Sequence, residues 1–161
     1  MRVNIHYGVY AALSLCAILA IGIFGYVLFA ERDIPECSAS LSVKRILPFE
    51  TVQSVTHINI TRSGWRRATI IINGHAYSGG KKQVVARVLE AKYSYSRGYY
   101  YITVEKKNRQ HTDTFLPDEA KKFLLGVDKQ FYVLKIGQLN DGNFVMYNGR
   151  MPELLCSATR K

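Results

Sequence analysis

The chain has 161 residues, with 22 lysines and arginines against 12 acids and 48% hydrophobic residues. That is room for one domain with a real core once the apolar N-terminal stretch is set apart, and too little for two. A net charge of +10 often signals nucleic acid, yet no RRM, helix-turn-helix or zinc-finger pattern is present and the basic residues are scattered, so nucleic acid is set aside as a partner.

Residues 7–30, YGVYAALSLCAILAIGIFGYVLFA, carry no formal charge. At a rise of about 1.5 Å per residue such a helix crosses a hydrocarbon core of about 30 Å with some tilt. It has no polar face, which a core helix of a soluble protein would usually show. Residues 1–6 hold Arg2, whereas Glu31, Arg32, Asp33 and Glu36 on the far side are net acidic. The positive-inside bias therefore puts the N-terminus in the cytoplasm and everything after residue 30 across the membrane. A cleavable signal peptide is the rival reading. Against it, the apolar run exceeds the usual signal core of about 7–15 residues, and Leu28-Phe29-Ala30 is a poor small-x-small cleavage site. The expectation is an uncleaved anchor over 7–30, a linker over 31–36 and an exported domain over 37–161. Only Arg2 of the 22 basic residues precedes residue 31, so the exported part holds 21 against 12. That excess serves solubility, attraction to anionic lipid headgroups, or an acidic protein partner.

Cys16 lies in the span as a small apolar side chain, while Cys37 and Cys156 sit near the two ends of the exported domain. An oxidising compartment favours a structural bridge between them. A redox or nucleophilic cysteine is disfavoured, since there is no C-x-x-C and no Cys/His/Asn grouping.

Cys37 opens a two-residue alternation (Cys37, Ala39, Leu41, Val43 against serines and Lys44) that predicts a half-buried strand ended by Pro48. Ser54–Arg62 and Trp65–Ile72 predict two more. Asn73-Gly74 predicts a two-residue hairpin turn, with His75–Ser78 returning briefly before Gly79-Gly80. Asn59-Ile60-Thr61 matches a glycosylation sequon, a frequent chance match. Gln83–Tyr95 is the longest run; a helix can be drawn through Lys82–Lys92, but the β-branched and tyrosine content favours a strand. Tyr99–Lys107 follows the turn at Gly98. Leu116–Gly126 then changes period, with proline and acids first, lysines later and glycine last, which predicts one short helix. Phe131–Leu139 and Asn143–Asn148 make a hairpin about Asp141-Gly142, and Leu154-Leu155-Cys156 closes the domain beside Cys37. Seven or eight strands with hairpin connections predict a mainly β domain, an antiparallel barrel or a strongly curved sheet.

This order of features resembles one known family. A single N-terminal span, a cysteine opening the first exported strand, a strand containing Ala86-Arg87-Val88 after a glycine-rich turn, a tyrosine-rich hairpin, the Leu116-Pro117-Asp118-Glu119-Ala120 helix and a terminal Pro152-x-x-x-Cys156 together resemble the FidL-like membrane proteins of enteric bacteria. The resemblance covers nearly the whole chain. It implies a lipocalin-like or calycin-like barrel on the periplasmic side of the inner membrane, paired with a membrane-anchored winged-helix regulator of the ToxR-like kind. By looser analogy it is similar to the small partners of such regulators, ToxS and VtrC, and that implies association with the regulator and a part in bile-salt sensing.

Arg87 shares a strand face with Leu89, Ala91 and Tyr93, and an arginine on an apolar face needs a partner. Either it holds an acidic ligand or partner residue inside the barrel, or Glu105 or Asp113 supplies an internal ion pair, or its stem snorkels to water. Tyr93, Tyr95, Tyr99, Tyr100 and Tyr101 form the densest aromatic patch, suited to a cavity, an interface or plain core packing. His57, His75 and His111 lack metal-ligand spacing, and His111-x-Asp113 suggests a base and its orienter with no marked nucleophile. With no Walker loop, HExxH or G-x-S-x-G, no catalytic, cofactor or metal residues are assigned. The expected function is that of a non-enzymatic periplasmic accessory protein of a membrane-bound ToxR-like regulator. The alternative is a stand-alone barrel binding a small amphipathic ligand such as a bile salt, and a small hydrolase comes third.

Overall fold

The computed structural model describes residues 3–30, 33–46, 51–115 and 129–159. The chain divides into two compact units, Met1–Asp33 and Ile34–Lys161. The first is a single helix, α1 (Val3–Ala30). It is long and apolar enough to cross a membrane, and the side chains described along it stand exposed on every side. Ser14, its one serine, donates a hydrogen bond to the Ala11 carbonyl at 2.9 Å, which satisfies the hydroxyl within the helix.

The second unit is a closed antiparallel barrel of eight strands in sequence order. The strands are β1 (Cys37–Ile46), β2 (Thr51–Gly64), β3 (Arg67–Ser78), β4 (Lys81–Ser96), β5 (Tyr99–Arg109), β6 (Phe131–Asn140), β7 (Asn143–Asn148) and β8 (Met151–Ala158). Each pairs with the next in sequence, as the alternating pattern and short turns predict. Along β1 the odd residues from Cys37 face inward; along β2 the even ones do, because Cys37 lies opposite Ile60 and Ala39 opposite Ile58.

One expected turn is absent. Asn73-Gly74 is no hairpin; it lies inside β3, which runs unbroken from Arg67 to Ser78 and turns at Gly79-Gly80, both at positive φ. The dipeptide is there for another reason. A Cβ on Gly74 would stand 2.3 Å from the Val55 carbonyl oxygen and 2.8 Å from the Thr56 Cα, so glycine is what lets β2 and β3 approach at this bend. The strands expected as Trp65–Ile72 and His75–Ser78 are therefore one. The helix expected over Leu116–Gly126, and Pro48 at the end of β1, lie outside the described residues.

Two clusters of buried side chains occupy the barrel interior. Cys37, Ile60, Tyr93, Tyr100, Ile102, Met146 and Cys156 anchor the one at the Cys37 end. Val52, Ile72, Val85, Leu89, Val104 and Phe115 make the other. An eight-stranded barrel is just wide enough for side chains to fill it. Each fully buried Leu, Ile or Phe adds roughly 1.5–3 kcal/mol.

Candidate functional site

Barrel closure rests on little backbone. β1 and β8 share only two register pairs, Cys37 with Ala158 and Ser38 with Ser157. The alternation of both strands aims Cys37 and Cys156 inward beside that short ladder, and they are joined in a disulfide with Cα atoms 5.6 Å apart. Thr159 adds a hydrogen bond from its N–H to the Glu36 carbonyl at 3.3 Å. Beyond Ser38 the strands part. Among the described residues, Ala39–Ile46 pairs with β2 alone and Met151–Cys156 with β7 alone. In an extended strand alternate peptide groups point to opposite sides, so each edge turns some N–H and C=O groups away from its one ladder partner among the described residues.

A groove of about 720 Å³ lies over this seam, on the outer face. Ser38 and Ser40 of β1, His57 and Asn59 of β2 and Asn73 of β3 give it polar walls, and Ile71 and Leu155 give it apolar ones. The Asn59 Oδ1 is buried there without a hydrogen-bond partner among the described residues. Ser40 Oγ lies 2.8 Å from His57 Nδ1, directly across the ladder. A nucleophile and its base would show that distance. Here, however, no carboxylate orients His57 among the described residues.

Arg87 does face inward, at 4% exposure, and its charge is taken up by the protein itself. Its Nε donates to Asp113 Oδ2 at 2.8 Å and its Nη2 to the Phe115 carbonyl at 3.2 Å. The guanidinium also lies over the Phe115 ring, 5.6 Å from its centroid. Asp113 further accepts from the Ala86 N–H, Arg109 Nη2 and the Phe115 N–H. Burial alone would raise the Asp113 pKa. The hydrogen bonds from Arg87, Ala86 and Arg109, with the Arg87 charge, outweigh that and hold it below the usual carboxylate value. The cluster fastens the segment after β5 against β4, where Thr114 and Phe115 donate to the Val84 carbonyl, and it seats Phe115 in the core. His111, expected beside Asp113 as a base, is exposed.

The tyrosines divide between two faces. Tyr93 and Tyr95 point inward and pack on Tyr100, at centroid distances of 6.2 and 4.9 Å. Tyr99 and Tyr101 point outward, the latter 6.3 Å from the Phe131 ring. Arg87 and Tyr93 share a face but stand six residues, about 20 Å, apart along β4. The structure therefore brings Cys37 and Cys156 together and separates Arg87, Tyr93 and Tyr95 from Tyr99 and Tyr101. The groove went unseen because its residues come from four strands; parity sets each outward, but the register that gathers them is not written locally. No protein-family model and no curated protein matches this chain.

Proposed function

We propose that the protein is a non-enzymatic accessory protein, anchored in the bacterial inner membrane by α1, whose periplasmic barrel associates with a membrane-bound ToxR-like regulator and stabilises or modulates it. The observation that carries this reading is the seam, where β1 from Ala39 to Lys44 and β8 from Met151 to Leu155 have a ladder partner on one side only among the described residues, beside a groove that could take an extended segment of a partner. The buried Asn59 oxygen in the groove is an acceptor that such a segment's N–H would satisfy. Two clusters of buried side chains occupy the interior, which favours docking on the outside over carriage of a bile-salt-like ligand within.

The test is site-specific crosslinking in cells. A photoreactive residue at Ser42 or Leu155, flanking the seam, is expected to yield a covalent adduct with the regulator, identified by mass spectrometry. The same residue at Ser94, outward on β4, is expected to yield none. Adducts at Ser94 equal to those at the seam, or none anywhere, would overturn the reading.

A further inference from the structure

We infer that the end of the barrel carrying Cys37 bears a second interaction surface, a tryptophan–arginine rim that docks on the anionic phospholipid headgroups of the membrane α1 spans. The inference rests on α1 as a span and on no protein partner.

The topology gathers the rim. Because Cys37 lies opposite Ile60, the hairpin joining β2 to β3 stands at the end where the chain enters β1. The hairpin joining β4 to β5 stands beside it, tied by the Tyr93 N–H donating to the Arg66 carbonyl at 2.9 Å. Six residues, 31–36, separate α1 from β1. The chain therefore enters the barrel at this end a few residues after the apolar helix.

Its chemistry fits headgroups. Trp65, the one tryptophan of the chain, is 76% exposed at the tip of the first hairpin. The Arg66 guanidinium stacks 4.9 Å from its ring centroid. Tyr99 flanks the second tip beside Arg97. Tryptophan and tyrosine, apolar in body and polar at the edge, favour the membrane–water interface, and arginine adds attraction to phosphate.

The backbone supplies an independent observation. Among the described residues only Arg66 and Arg97 adopt positive φ without being glycine, at 53° and 51°. The two hairpin tips of this rim thus each hold an arginine in a conformation that disfavours side chains and that glycine or asparagine would fill more easily. Turn formation does not require arginine there; a ligand for its charge gives a reason for it.

Trp65 is its own probe. The full chain is reconstituted into phosphatidylcholine vesicles, and into vesicles with roughly a quarter of the lipid replaced by phosphatidylglycerol, and the tryptophan emission and its quenching by acrylamide are read. Co-flotation with both lipids reports the anchor. In the anionic vesicles we expect a blue-shifted emission, weaker quenching, and quenching by brominated lipid; in the zwitterionic vesicles Trp65 stays open to acrylamide. Arg66→Gly and Arg97→Gly, which remove charge while easing the backbone, are each expected to lower the docked-to-free ratio about fivefold. Anchored protein with equal quenching in both lipids overturns the rim and leaves the anchor standing. Failure to float overturns both. Shielding that follows protein density rather than lipid charge overturns the inference by placing a second copy on the rim, as does docking undiminished in the double glycine variant.

Discussion

Arg87 and Arg109 lie directly opposite each other on β4 and β5, like charges in adjacent strands, and Asp113 is what makes that placement tolerable. Its side chain is fully buried and bridges them at 2.8 and 2.9 Å. Asp113→Asn leaves a buried arginine facing another cation, and we expect it to cost about 3–5 kcal/mol. Arg87→Met leaves Asp113 still paired to Arg109, so its cost should be smaller, about 2 kcal/mol, and should nearly vanish in the Asp113→Asn background. Chemical unfolding of the full chain in detergent measures all three. The same carboxylate sets a pH dependence. Its pKa is depressed on folding, so its stabilisation is complete above the unfolded value of about 3.9 and is lost as pH falls from there through the folded value. A wild-type stability that falls no more steeply below pH 4 than that of Asp113→Asn would refute this. Strand parity in the sequence places Arg87 inward and names Asp113 or Glu105 as partners. It does not choose between them, because Asp113 reaches back from beyond β5, whereas Glu105 is spent on Arg67 at 3.7 Å.

At the scale of elements, alternation was readable because a strand repeats every two residues whatever its neighbours do. Asn73-Gly74 was misread because the hairpin signal is local and the requirement that placed glycine there is not. Nothing near position 74 in the sequence mentions Val55. Substitution tests the difference. Gly74→Ala pushes a Cβ against two backbone atoms of β2 that have no rotamer by which to yield, so we expect a loss of about 2–4 kcal/mol. Asn73→Thr, on the exposed outer face in an extended strand, should stay within about 0.5 kcal/mol of wild type. If this dipeptide were a turn, the sensitivities would be more even, since both central positions of that turn need positive φ. Thermal unfolding of the two variants decides it.

For the whole molecule the question is what keeps a barrel shut through two register pairs. The disulfide between Cys37 and Cys156 spans 119 residues, and the chain-entropy model assigns such a loop about 5 kcal/mol. Its location matters as much as its magnitude. β2, β3 and β4 pair over ten or more positions with their neighbours, so they hold together without it; β1 and β8 do not hold each other. Reduction should therefore open the molecule at one line. In Cys37→Ala/Cys156→Ala, amide exchange should quicken first in β8 and in the first residues of β1, while the β3–β4 ladder keeps its protection until global unfolding. Uniform acceleration across all eight strands would mean that the bridge only adds to global stability. Selective opening would mean that the cystine holds the seam at a fixed width, and that the groove a partner is proposed to use exists only in the oxidised protein.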